Sequence, residues 1–240
     1  MAPAFTASGR RLGIVSASGT VFLSVIYAIP LTAGLLSLPS PDTPIGDPWF
    51  PMMEILIILT MPVMVGLMVA VHAWATPQTK VYSLLALVFM GLLTGLTCSV
   101  HFVILTMTHQ AEFVGQSWLP LVVSFKWLSV TYALDILAWD VFFALAVLSA
   151  APVFSGSRLA TSIRVLMIVS GTLSLGGLSG VFLDDSKFRN IGIVGYAAVF
   201  PVAALLLAIL FYRTKIGKGQ QRPGHGDDES LSHRPGYGTR

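Results

Sequence analysis

The stretch FPMMEILIILTMPVMVGLMVAVHAWA, residues 50–75, decides the fold, because a single charged side chain, Glu54, interrupts its apolar run. A helix needs about 20 mostly apolar residues to cross about 30 Å of hydrocarbon. A strand of a membrane β-barrel would instead show about 10 residues of alternating polarity. The continuous run therefore predicts a transmembrane helix.

Six such stretches follow one another along the chain, separated by breaks rich in Pro, Gly, Asp or Ser. They are residues 14–38, 50–75, 81–107, 130–153, 161–183 and 191–212. The composition agrees, since 55% of the residues are hydrophobic and 10% are charged, against about 25% charged in soluble proteins. We predict an all-α integral membrane protein in which residues 14–212 form a bundle of six transmembrane helices.

The positive charges predict how the chain is oriented. With the N-terminus in the cytoplasm, all 14 Lys and Arg residues except Lys126, Lys187 and Arg189 fall on the cytoplasmic side, where short loops collect such charges. We expect a multi-pass protein of the cell membrane with both termini cytoplasmic, residues 1–13 at one end and 213–240 at the other. The second segment has almost nothing apolar to bury, which predicts a disordered tail.

The connection at residues 113–129 is too long for a simple turn and contains Trp118 and Pro120. An interfacial or re-entrant helix on the outer side is expected there.

Ionisable residues within the spans are the strongest indication of a site, because a charge buried in the bilayer is costly. At 1.5 Å per residue, Glu54 lies about 7 Å and His101 about 10 Å below the outer surface. Asp135 lies at a similar depth, and Asp140 lies near the midplane, where it must face the bundle interior or carry a proton. These four residues, none of them Lys or Arg, predict one catalytic site in the outer half.

Aromatic side chains accompany these acids. Tyr132, Asp135 and Trp139 share one helical face, whereas Asp140 is about 140° from Asp135 on an α-helical wheel. A carboxylic acid kept protonated in an apolar pocket can donate a proton, and aromatic rings stabilise a developing cation. The aromatic residues that we expect to bind a substrate are Tyr27, Tyr132, Trp139, Phe143 and Tyr196.

This pattern favours an intramembrane acid–base enzyme that acts on an isoprenoid-like or lipid-like substrate. Two alternatives stay open, and with them the question of whether the protein is an enzyme. Pro30, Pro62 and Pro201 within the spans would suit a proton- or cation-coupled transporter with interrupted helices, and a non-catalytic sensor or assembly subunit would need no site. The expected partners are the lipid bilayer, a hydrophobic small molecule and other copies of the chain, but not nucleic acid.

No cofactor or metal is predicted. His72 and His101 approach opposite membrane faces, which disfavours haem, and the last two spans contain no lysine for a retinal Schiff base. The acids and histidines show no metal-ligand spacing. Gly177-Leu178-Ser179-Gly180 resembles the GxSG motif of rhomboid proteases, but the last span lacks the histidine which that chemistry needs. We interpret the motif as close helix packing.

Overall fold

A computed structural model of the chain describes residues 5–40, 43–113, 115–125, 129–183 and 185–214. All regular structure in these ranges is helical, and six of their helices are long and apolar enough to cross a membrane. The predicted disordered tail lies outside the described residues from residue 215 onward, as do residues 1–4 of the predicted N-terminal segment. The helices of the described ranges confirm the prediction of an all-helical chain with six long apolar helices.

The six helices have the following bounds: α1 Ala7–Leu36, α2 Trp49–Trp74, α3 Lys80–Met107, α4 Val130–Val153, α5 Arg158–Phe182 and α6 Lys187–Arg213. Three of them begin at hydroxyl caps, where Thr6, Ser129 and Ser157 each accept a hydrogen bond from the backbone N–H three residues later. Such caps satisfy donors that a helix start leaves unpaired.

Helices that are consecutive in sequence pack side by side, and α6 returns to pack against α1, so that the bundle closes on itself. The buried interior contains methionines of α2, among them Met61 and Met64, and phenylalanines of the later helices, among them Phe143, Phe200 and Phe211. Closed packing leaves one interior, on which side chains from several helices converge.

Two helices contain π-helical turns, Leu137–Phe143 in α4 and Val194–Val199 in α6. The hydroxyl of Ser170 on α5 donates to the carbonyl of Gly195 in the second turn, at 2.8 Å. By contrast, α1 and α2 run uninterrupted through Pro30 and Pro62. The expectation that these prolines interrupt their helices is therefore wrong, and the irregular backbone lies in α4 and α6.

The predicted start of two spans also needs correction. Helix α1 begins at Ala7 rather than residue 14, because Arg10 lies within it and donates from Nε to the carbonyl of Phe211, 3.0 Å away at the end of α6. Helix α6 begins at Lys187 rather than residue 191. In both helices an arginine that looks like a boundary lies within the helix, because its guanidinium has a partner on another helix: Arg10 at the end of α6, and Arg189 at Asp135.

The connection between α3 and α4 contains a five-residue helix, Leu119–Val123. Val123 is buried there. Residues 114 and 126–128 of the predicted interfacial segment lie outside the described part of the chain.

Candidate functional site

Glu54 and His101 form a buried pair between α2 and α3. Glu54 lies in the second turn of α2, and the antiparallel packing of α3 brings His101 level with it. Nδ1 of His101 and Oε2 of Glu54 share a hydrogen bond of 2.6 Å, and both residues are at most 2% exposed. A carboxylate at Nδ1 fixes the orientation of the imidazole and leaves Nε2 as the nitrogen that can contact other groups.

Nε2 of His101 has no hydrogen-bond partner among the described residues. The nearest charged atom is Oδ1 of Asp135 on α4, at 3.6 Å, which is beyond hydrogen-bond reach. The ring of Phe125 lies against the imidazole, with a centroid separation of 5.7 Å. Nε2 of His101 therefore has no partner among the described residues and lies beside a carboxylate, so it is available to a ligand.

Asp135 continues the chain of charges to α6. Its Oδ2 accepts a hydrogen bond from Nη2 of Arg189 at 2.7 Å, and the guanidinium lies 4.3 Å from the centre of the Tyr132 ring. Arg189 is only 5% exposed although it lies near the start of its helix. Its charge is therefore held inside the bundle by a carboxylate and an aromatic face.

Asp140 ends the chain of charges. Its Oδ2 lies 3.7 Å from Nε of Arg189, and neither carboxylate oxygen has a hydrogen-bond partner among the described residues. A Cβ atom added to Gly192 would lie 2.7 Å from Oδ1, and one added to Gly177 would lie 3.0 Å from Oδ2. The carboxylate fits between α5 and α6 because both positions lack a side chain.

The π-helical turn of α4 explains why both aspartates reach Arg189. On an ideal α-helix they would differ by about 140°. Hydrogen bonding from i to i+5 in the turn Leu137–Phe143 brings residues five apart closer to one face. The α-helical wheel used for the sequence did not include this turn.

A cavity of about 300 Å³ lies beside the charged residues, with walls from α1, α2, α3, α4, α6 and Phe125. This is the lower end of the range of about 300–1,000 Å³ for small-molecule sites. His101, Asp135 and Arg189 form its charged wall. Much of the rest is apolar: Leu23, Leu31, Ile57, Met61, Ile193 and Ala197. The cavity therefore suits a small molecule that is largely hydrophobic.

The aromatic residues expected at the site separate into two groups. Tyr27, Trp139 and Tyr196 line the cavity, and the last two rings lie 4.9 Å apart. Tyr132 lies under Arg189 instead. Phe143 is fully buried and packs edge-on against Phe200 at 5.0 Å. Phe143 therefore does not line the cavity in this structure, since its ring fills the core behind it.

Glu54 and Asp140 do not line the cavity either. Each lies one residue behind the wall, Glu54 against His101 and Asp140 against Arg189. All four ionisable residues were expected to be catalytic, whereas only His101 and Asp135 of the four line the cavity.

Arg189 was expected in a loop and not among the site residues. A signal for it was present in the sequence, because the two aspartates of α4 have no Lys or Arg on their own helix. Buried carboxylates need a partner, and the cations expected on the same side were few. Arg189 therefore joins the four ionisable residues that the depth argument selected.

The motif Gly177-Leu178-Ser179-Gly180 lies where α5 meets the start of α6. The Ser179 hydroxyl donates to the carbonyl of Gly176 in its own helix, at 2.7 Å. A Cβ atom at Gly180 would lie 2.9 Å from the carbonyl oxygen of Asp185. These contacts are those of close packing between neighbouring segments.

No group of three or more His, Cys, Asp and Glu side chains in the described ranges is arranged to hold a metal ion. Acidic and basic side chains instead alternate along the order Glu54, His101, Asp135, Arg189, Asp140.

The six apolar helices suggest a polytopic membrane protein, and three of its buried ionisable residues, His101, Asp135 and Arg189, line a small cavity. No family model, curated protein or solved structure matches the chain. Any functional assignment therefore depends on the chemistry of the site.

Proposed function

We propose that the protein is an acid–base enzyme of the cell membrane that transfers protons on a small hydrophobic substrate. The observation that carries this proposal is the pair formed by His101 and Asp135 at the cavity wall, with Nε2 and Oδ1 3.6 Å apart. Two groups that can exchange protons line the same cavity and lie within reach of one ligand.

The other charged residues act on this pair. Glu54 holds the imidazole of His101 through Nδ1, and Arg189 holds the carboxylate of Asp135. Asp140 lies behind Arg189, with Oδ2 3.7 Å from its Nε. We assign positioning roles to these three residues. An apolar core of similar volume is usually at least as stable as buried ion pairs. Stability alone therefore does not account for the cluster, which favours a functional role for it.

The reaction that fits is an isomerisation. One member of the pair donates a proton to one atom of the substrate, and the other removes a proton from a neighbouring atom, so that a double bond shifts. The proton then returns from the second member of the pair to the first, with a small side-chain movement closing the 3.6 Å between Nε2 of His101 and Oδ1 of Asp135, and the starting state is restored. Atoms and electrons balance without an oxidant, a reductant or a second substrate.

The cavity wall supports a hydrophobic substrate of modest size. Ser24 and Thr60 line it, but their hydroxyls donate to carbonyls of their own helices, Thr20 and Leu56. Polar recognition is thereby left mainly to the charged wall and to Tyr27. An isoprenoid-like or lipid-like molecule would fit in part, with its reactive segment in the cavity.

The test is deuterium incorporation. Purified protein in lipid nanodiscs is incubated in D₂O with the total lipid extract of cells that produce it, and mass spectrometry follows compounds that gain deuterium or change retention. We expect at least one compound to do so, and His101→Gln to slow it about 100-fold or more.

His72→Gln is the matched control. His72 is also a span histidine, but its Nδ1 contacts the Ser83 hydroxyl at 2.9 Å and it does not line the cavity. Its substitution should leave the rate within a few-fold. Equal rates in the two variants, or no deuterated compound with the unmodified protein, would contradict the enzyme proposal.

A proton-coupled transporter is the second proposal, favoured by the π-helical turns that flank the site in α4 and α6. Such turns often occur at functional sites. Proteoliposomes loaded with a pH-sensitive dye distinguish the two functions. A transporter moves protons across the membrane when the lipid extract is added on one side, whereas an enzyme changes the compound without a proton flux.

We further propose that both termini are cytoplasmic and that the site lies in the outer half of the membrane. Single cysteines at Ser40, Ser117, Gln78 and Ser155, all exposed positions, test this in a Cys98→Ala background. An impermeant thiol reagent should label the first two in intact cells. Labelling of Gln78→Cys or Ser155→Cys instead would reverse the orientation.

A further inference from the structure

The buried charges around the cavity do not balance. Three carboxylates, Glu54, Asp135 and Asp140, face two bases, His101 and Arg189, and each of the five residues is at most 5% exposed. Among the described residues no other cation lies within ion-pairing distance of these carboxylates. Even with a proton on both nitrogens of His101, the cluster is short of one positive charge.

An unpaired charge in such surroundings is costly, so the cluster must acquire a proton or a cation. Asp140 is a suitable place for a proton, because neither of its oxygens has a hydrogen-bond partner among the described residues. The cavity offers a second solution, since a cation bound there would lie against Asp135.

The aromatic residues of the cavity wall are suited to an organic cation, although His101 and Arg189 also line it. Four aromatic rings line it, from Tyr27, Phe125, Trp139 and Tyr196, and aromatic faces attract organic cations. The guanidinium of Arg189 over the Tyr132 ring is an example within the same site. An anion would meet the carboxylate of Asp135, while Arg189 is already shared by two carboxylates.

We propose that the cavity binds a small hydrophobic molecule with one positive charge, an amine or a quaternary ammonium, and that its charge replaces one proton of the cluster. This inference deepens the proposed function, since it states the charge of the molecule that the same cavity takes. Binding then releases one proton to the solvent.

The titratable and charged groups that face the cluster come from five helices. They are Tyr27 on α1, Glu54 on α2, His101 on α3, Tyr132, Asp135 and Asp140 on α4, and Arg189 and Tyr196 on α6. Helix α5 contributes none, because it has no ionisable side chain after Arg164. Because the cation competes with a proton, the apparent Kd of the cation falls about tenfold for each unit that the pH rises, over the range in which the cluster holds the proton.

Three probes of similar shape test the charge: benzyltrimethylammonium, its neutral carbon isostere neopentylbenzene, and benzenesulfonate. The full chain is placed in phosphatidylcholine nanodiscs, whose surface has no net charge. Titration calorimetry in two buffers of different ionisation enthalpy gives both the affinity and the number of protons released. We expect the cation to bind at least about tenfold more tightly than the neutral isostere, to release about one proton, and the anion not to bind.

Asp140→Asn removes one carboxylate of the cluster and leaves the lining of the cavity unchanged, because Asp140 does not line it. The variant should bind the cation at least about tenfold more weakly and release no proton. Trp139→Leu should also weaken binding while proton release persists, because it removes a ring and not a charge. Glu112→Gln, an exposed position outside the cluster, is the control and should change neither quantity. Should Asp140→Asn fail to fold, Glu54→Gln removes one acid in its place.

Equal binding of the cation and the neutral isostere, or cation binding without proton release, would overturn the inference about charge. The proposed function would then still stand if the lipid extract gains deuterium. Failure of deuterium incorporation together with cation binding would contradict the enzyme and keep the cation site. The two proposals therefore fail through different measurements.

Discussion

Arg189→Met is the substitution that most directly probes the buried charges. Methionine keeps much of the length and apolar character of the arginine stem but removes the guanidinium. In the structure that guanidinium lies 2.7 Å from Asp135 and 3.7 Å from Asp140, and the residue is 5% exposed. Without it, two buried carboxylates lose their cation.

The expected loss of stability follows from the burial of the pair. Removing one partner of a buried ion pair costs about 3–5 kcal/mol, and 1 kcal/mol shifts the Tm of a chain of this size by about 2–4 °C. We therefore expect the apparent Tm of Arg189→Met to fall by about 6–20 °C. Adding Asp135→Asn should recover part of this loss, because one uncompensated charge disappears.

Circular dichroism in nanodiscs measures the midpoints. Lys187→Met is the matched control, since Lys187 is an exposed cation two residues earlier in α6, and it should shift the Tm by no more than about 2 °C. A midpoint for Arg189→Met as high as that of Lys187→Met would refute the buried pairing. So would a double variant that is less stable than Arg189→Met alone.

Two further predictions concern packing around the site. Gly192→Ala should destabilise the protein by about 1–3 kcal/mol, because the new Cβ would lie 2.7 Å from Oδ1 of Asp140, whereas Gly91→Ala, which meets nothing within 4 Å, should be neutral or stabilising in thermal unfolding. Phe143→Leu should lower the Tm and leave the affinity for benzyltrimethylammonium within a few-fold. Trp139→Leu should weaken that affinity and leave the Tm nearly unchanged. Affinity lost in Phe143→Leu alone would place that ring in the cavity after all.

The helices could be predicted from the sequence because a single physical requirement sets them. Only long apolar runs can lie in hydrocarbon, and the run at 50–75 corresponds closely to the helix Trp49–Trp74. The depth argument also selected residues that the structure brings together, since Glu54 and His101 lie at similar distances from the ends of neighbouring helices. Membrane orientation and the roles of these residues stay predictions.

The rest depended on three-dimensional detail that a helical wheel does not contain. The π-helical turn in α4 changes the face on which Asp140 lies. Arg189 enters the bundle only because α6 begins earlier than its apolar run, and the glycines at 177 and 192 leave room for a carboxylate that no local pattern announces. Phe143 and Trp139 are both aromatic and only four residues apart, yet only the second lines the cavity.

The central claim is that His101 presents Nε2 to a ligand in the cavity. The most direct measurement is the ¹⁵N NMR spectrum of histidine-labelled protein in nanodiscs with and without saturating benzyltrimethylammonium, with His101→Gln and His72→Gln to assign the signals. The account predicts that the probe shifts the Nε2 signal of His101 and leaves that of His72 unchanged. A bound probe that leaves the His101 signal in place would contradict it.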